Sequence, residues 1–233
     1  MRTVIAQTVR SGQRGAPAAN QLCLACLPLL GVDSAALSLV DDGESRGTFG
    51  ASTDHARLLD ALHFTTGEGP CLQAAHTGNP VLVPDLHAYH ELRWPAFQDS
   101  AERAGIRAVF AIPVRTGRIT FGALDLFRST PGPLTMTQLA DAVLVANAAA
   151  QILLAVVIDS ADQPYRPSSA QQWEQAASME RIEIYQATGM IMAQLKLSAA
   201  LALLRLRAHA FAHDQTANEV AQQIVSRQLR MEP

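Results

Sequence analysis

Residues 139–158 constrain this chain more than any other stretch. They are mostly apolar, rich in alanine and about long enough to cross a bilayer. Such a run has to be a helix, in lipid or against protein. Asp141, Asn147 and Gln151 interrupt it at short intervals. Polar groups at that spacing are costly in hydrocarbon and cheap on a helix that packs one face against protein. The reading adopted is a long connecting helix, with no membrane involved. Pro131-Gly132-Pro133 breaks the chain before it, and Thr135 or Thr137 can cap it. The 233-residue chain has room for a medium domain and a small one. Strand and helix signals mix upstream of the long helix. Downstream of a linker at 159–170, containing Pro164, Pro167, Ser168 and Ser169, the signals are helical only. That division predicts an α+β domain followed by an all-α one.

Upstream, Asn20–Leu30 reads as a helix stopped by Gly31. Ala35–Val40 and Arg46–Ala51 read as strands around the turn Asp41-Asp42-Gly43. Thr53 or Asp54 can cap a helix running to about Leu62. Gly67-Glu68-Gly69-Pro70-Cys71 forms a tight loop, with Pro70 opening a short helix that ends at Gly78. Val81–Val83 is a short strand, and Trp94-Pro95 opens a helix ending at Gly105. Ile106–Val114 and Ile119–Phe127 form a hairpin. Met1 to Pro17 holds Arg2, Arg10 and Arg14 without a continuous apolar run, so residues 1–17 read as a loose tail rather than a leader.

Downstream, one helix is expected from Trp173 to about Leu195, striped by Ile184, Ala187, Ile191 and Leu195. Ser198 caps a second helix with Ala202, Leu203, Leu206 and Ala210 on one face. Thr216-Ala217-Asn218-Glu219 is a capping box opening a third. Leu201 and Leu204 fall off the main stripe and point to a second contact face. A core of this size is marginal alone and gains from dimerisation or from the long helix.

The formal charge is −3, which says nothing about polyanions. Residues 163–233 carry seven basic against six acidic side chains, a net +1 that leaves −4 for the rest. The tilt favours a polyanion at the C-terminal end, weakly. The odd cysteine count (Cys23, Cys26, Cys71) suits a reducing, cytoplasmic setting. Cys23 and Cys26 are spaced as a C-x-x-C pair, but there is no second pair to complete a zinc site, and their apolar neighbours make them core cysteines. His87 and His90 read as loop residues without metal-ligand geometry. Cys71, at a helix N-terminus, is a candidate for packing beneath the loop or for a thiol activated by the helix dipole. Trp94, Phe97 and Phe110 are candidates for core or for a ligand pocket. No nucleophile elbow, zinc-protease or P-loop pattern occurs, so no catalytic residue and no metal site are assigned.

The run Ile182-Glu183-Ile184-Tyr185-Gln186-Ala187-Thr188-Gly189-Met190-Ile191-Met192 resembles the opening helix of an ANTAR domain. Leu203 to Phe211 and Glu219-Val220-Ala221 through Ile224-Val225 are similar to its second and third helices. The resemblance covers 165–229. Thr188 stands where many relatives carry lysine. The first part, 18–158, resembles a GAF domain. It does so through Gly67-Glu68-Gly69-Pro70-Cys71, Pro84-Asp85-Leu86, Arg93-Trp94-Pro95-Ala96-Phe97 and Gly122-Ala123-Leu124-Asp125-Leu126. The joint resemblance implies an antiparallel GAF-like sheet with flanking helices, then a three-helix ANTAR domain. It also implies a non-enzymatic transcription antitermination regulator that binds tandem hairpins in nascent RNA, not DNA, as a homodimer through 136–158.

On this reading the RNA surface combines Gln186, Thr188 and Gly189 with Arg205, Arg207 and His209. A glycine in mid-helix costs about 1 kcal/mol against alanine and suggests close approach of another backbone at Gly189. Cys71, Trp94, Phe97 and Phe110 would line the pocket of an unknown small-molecule ligand; no cofactor is otherwise called for. Two rivals stay open: a small-molecule or redox sensor signalling through protein contacts alone, and a thiol enzyme using Cys71.

Overall fold

Strand β1 (Ser34–Asp41) sets the layering, because its side chains alternate between two apolar environments. Ala35, Leu37 and Leu39 face one core, and Ala36 and Val40 the other. The computed structural model describes residues 15–41, 43–88, 93–161 and 181–232. β1 is joined by β2 (Glu44–Ala51), β3 (Val81–Val83), β4 (Ala108–Thr116) and β5 (Ile119–Arg128) in an antiparallel sheet ordered β2-β1-β5-β4-β3.

One face of the sheet carries α1 (Gly15–Leu30) and α5 (Met136–Ala161). The other carries α2 (Asp54–Thr66), α3 (Pro70–Thr77) and α4 (Pro95–Arg103). A three-helix unit follows: α6 (Ile182–Leu195), α7 (Ala199–Ala212) and α8 (Ala217–Val225). The expected fold class, an α+β domain with a GAF-like antiparallel sheet and then an all-helical unit, is the observed one.

Local chemistry explains most element ends. Thr53 accepts from the Ala56 amide and caps α2, Ser198 caps α7 through Leu201, and Thr216 and Glu219 form the predicted capping box of α8. Three elements differ from the sequence reading. α1 starts at Gly15 because its buried stripe continues back through Ala18 and Ala19, so residues 15–17 are helix and not tail. α2 runs on to Thr66. α6 begins at Ile182, behind Arg181 at φ −122° and ψ 7°. The expected start at Trp173 and the linker at 159–170, apart from 159–161 in α5, lie outside the described residues.

α5 is 26 residues long and passes the length and hydropathy criteria for a bilayer span over Met136–Ala155. Its inner face, including Ala142, Val145, Ala149 and Leu153, is buried on the sheet and α1. Met136, Val143 and Leu144 are exposed.

Gly122 lets β1 and β5 close. A Cβ there would stand 1.8 Å from the Ser38 carbonyl oxygen, and its φ is +156°. Gly122→Ala is therefore expected to destabilise the sheet by about 2–4 kcal/mol. The check is a fall in the urea midpoint with unchanged m-value.

Candidate functional site

The C-terminal helices are docked on α2 by a cation–aromatic clamp. Phe64, near the end of α2, is 6% exposed and belongs to the core of the C-terminal unit with Ile184, Ala187, Leu206 and Val220. The guanidinium carbons of Arg181 and Arg207 lie 3.8 and 4.2 Å from its ring centroid. Arg181 also donates to Ser45 on β2, through the carbonyl and the hydroxyl. The neighbouring Thr65 hydroxyl accepts from the Ala217 amide at 3.0 Å, at the start of α8. Arg103 and Asp214 add an exposed ion pair at the rim. A cavity of about 320 Å³ opens in this junction, lined among others by Thr48, Asp60, Ala61, Arg181 and Thr216.

The six residues expected at an RNA surface do not share one environment. Gln186, Gly189 and Arg205 are exposed. Thr188 is turned inward, its hydroxyl donating to the Ile184 carbonyl at 2.7 Å. Arg207 is half-buried over Phe64, and burial lowers its pKa from the ordinary guanidinium value. His209 stacks on His213 with centroids 4.0 Å apart. Burial, His213 and Arg205 lower its pKa. Among the described residues, a Cβ at Gly189 would meet nothing within 4 Å, so none of their helices makes the close approach expected there. Leu201 and Leu204 are 53% and 61% exposed, so no described residue covers the second face that they form.

The loop Gly67–Cys71 organises a second, buried centre. The Glu68 carboxylate accepts from the Ala96 and Phe97 amides at 2.7 and 3.1 Å, and so caps α4. Gly69, at φ +134°, leaves room for the His63 ring; a Cβ would lie 2.4 Å from it. Phe97 stacks on that ring at 4.4 Å. Pro70 then opens α3 and places Cys71 inward. Asp60 and His63 reach the same point from α2, and Asp125 from β5. All four side chains are buried, and one ligand atom from each lies within 4.8 Å of the others.

Ser38 of β1 holds the two carboxyl groups together. Its hydroxyl contacts Asp60 Oδ1 and lies 2.6 Å from Asp125 Oδ2, while Thr48 donates to Asp60 Oδ2. One hydroxyl has one hydrogen, so one carboxyl group must supply the other. Asp125 suits that role: burial and the nearby Asp60 push its pKa up to about 7. Burial holds His63 down to about 4, which keeps the imidazole neutral. Burial, Asp125 and Asp60 raise the Cys71 thiol well above its ordinary value. Position at a helix N-terminus therefore does not activate Cys71, and the activated-thiol expectation fails on desolvation.

Of the expected pocket residues, Cys71, Trp94 and Phe97 share one core, whereas Phe110 lies on the opposite face of the sheet. The sequence alone assigns no site role to Asp60, His63, Asp125 or Ser38. Their signal was polarity inside apolar periodicity: Asp125 in Ala-Leu-Asp-Leu-Phe, and Asp60 and His63 on the buried phase of α2. Cys23 and Cys26 are buried core thiols, as expected.

A GAF domain matches residues 17–153 and an ANTAR domain residues 175–225. The chain belongs to the GAF domain family, and it carries an ANTAR domain behind the sensor. Both are regulatory and sensory domains rather than catalytic ones, and together they place the chain in signal transduction and transcription regulation. No curated protein matches the chain. Among solved structures, it is similar to a GAF domain of a phosphoenolpyruvate-protein phosphotransferase from Coxiella burnetii. That likeness has 15% identity and a TM-score of 0.53, and covers 69% of this chain and 96% of that one. The corresponding GAF domain from Acinetobacter gives 10% identity and a TM-score of 0.50, covering 66% and 90%. Likeness at these identities concerns the fold alone.

Phe64→Ala removes the ring from the clamp. Large-to-small changes at buried phenylalanines cost about 3–5 kcal/mol. The expected outcome is faster amide hydrogen exchange across 182–225, with the exchange of β1 and β5 unchanged.

Proposed function

We propose that this chain is a transcription antitermination regulator whose C-terminal three-helix unit binds hairpins in nascent RNA. The observation that carries the reading is the ANTAR match over 175–225, on helices that display Gln186, Gly189 and Arg205 to solvent. RNA loops are recognised by splayed bases that stack and hydrogen-bond, with basic groups on phosphates. Arg205 and Arg207 supply the charge, Gln186 and His209 the polar and stacking groups, and Thr188 and Gly189 shape the helix between them.

In this reading the docked arrangement is the weak-binding one, because Arg207 is engaged with Phe64. A signal received by the GAF domain frees it. The protein acts in the cytoplasm, on RNA and not DNA, as a homodimer. The outer face of α5, with Met136, Val143 and Leu144 exposed, supplies the seam. Two RNA-binding units held together gain affinity through effective concentration. The exposed Leu201 and Leu204 favour the rival reading, an interaction module for a protein partner.

Gel shifts with tandem-hairpin RNA separate the two. Arg205→Ala with Arg207→Ala is expected to weaken binding and reduce the log–log salt slope by about 1–2, since each phosphate contact contributes roughly 0.7–0.9. Phe64→Ala is expected to tighten binding. RNA affinity no greater than that for duplex DNA, in the wild type and in Phe64→Ala alike, would reject the RNA reading. Leu144→Glu is expected to give a monomer by light scattering and to weaken RNA binding about 10²-fold or more.

A further inference from the structure

We infer that Asp60, His63, Cys71 and Asp125 form a binding site for one divalent transition-metal ion, and that zinc is the ion their donors suit best. Such a site would stand whether or not the C-terminal helices bind RNA.

Three observations carry it. The first is the donor set: one imidazole, one thiol and two carboxyl groups converge from α2, α3 and β5 with their ligand atoms within 4.8 Å of one another. Zinc bonds of about 2.0–2.3 Å in a tetrahedron place ligand atoms about 3.3–3.8 Å apart. The four groups therefore need to close by about 1 Å, within the reach of side-chain adjustment. Imidazole and thiolate exclude the hard ions calcium and magnesium, which take oxygen ligands.

The second observation is unspent bonding capacity. Neither ring nitrogen of His63 and not Oδ1 of Asp125 has a hydrogen-bond partner among the described residues, although both side chains are fully buried. Buried polar atoms are nearly always paired, and leaving three of them unpaired in one place costs free energy unless a ligand meets them. The surroundings fix how they point. Phe97 and the Gly69 backbone hold the His63 ring, and Ser38 and Thr48 hold the oxygens of Asp60 and the far oxygen of Asp125. Such outer partners orient metal ligands in the way a site requires.

The third is access. The junction cavity is lined by Thr48 and Asp60, so one of the four donors borders an opening in the fold. Binding displaces the thiol proton of Cys71 and the carboxyl proton of Asp125, and both go to solvent. The ion then faces two carboxylates, a thiolate and a neutral imidazole, and its charge offsets the anions that burial otherwise penalises.

The test uses the full-length protein, dialysed against zinc and then against metal-free buffer, with bound metal measured by plasma mass spectrometry. About one zinc per chain is expected. Cobalt substitution should give visible ligand-field bands and a near-ultraviolet thiolate-to-metal charge-transfer band. Cys71→Ser should abolish the charge-transfer band, and His63→Gln should weaken zinc binding by about tenfold or more. Cys23→Ser with Cys26→Ser should leave both signals intact, since those thiols lie in the opposite core. Circular dichroism establishes that each variant is folded. A folded wild type that retains no zinc overturns the proposal. So does a charge-transfer band that survives Cys71→Ser or disappears in the Cys23/Cys26 variant.

Discussion

One hydroxyl group, Ser38 Oγ, stands between two buried carboxyl groups and ties three elements to one point. It belongs to the central strand β1, Asp60 to α2 and Asp125 to β5. Two carboxylates at this separation in a dry core repel, so their proximity requires a shared proton or a cation. Either solution fixes α2 against the sheet with more directionality than its apolar contacts supply. The position of α2 in turn determines where Phe64 and Thr65 stand, and on those two residues the C-terminal unit rests. The path from the middle of the sheet to the last helices is therefore short and polar at its origin.

The C-terminal unit meets its neighbour through charged residues used as aromatic-stacking groups. Arg181 and Arg207 lie over one ring, and Arg181 is further held by Ser45. Guanidinium suits this role because it is planar and weakly hydrated, and so loses less than an ammonium when partly desolvated. The same properties make arginine an effective phosphate ligand. Arg207 cannot serve both ends at once.

Elements with local signatures were legible in the sequence. Thr53, Ser198 and the Thr216–Glu219 box cap their helices as their residue types require, and Val81–Val83 and the β4–β5 hairpin lie where alternation puts them. Tertiary pairings were not. Cys71 looks like an activated thiol from its place at a helix start, yet desolvation decides its behaviour, and desolvation is set by residues far away in the chain. Gly189 looks like a contact point, but among the described residues only open space lies beside it. Asp60 and Asp125 are 65 positions apart in the chain, and no local pattern announces that one serine joins them. Phe110 groups with Phe97 by residue type, whereas strand parity sends it to the other face.

His63, Phe64 and Thr65 are consecutive, and they look in different directions: His63 into the polar centre, Phe64 and Thr65 into the C-terminal helices. Helix α2 is thus a party wall, one structure with a tenant on each side. Thermodynamic reciprocity applies to such a wall. Whatever factor an occupant of the centre imposes on the docking of the C-terminal unit, docking imposes the same factor on the occupant. A third molecule that captured the released helices would then be sensed at Asp60 and His63 without ever touching them.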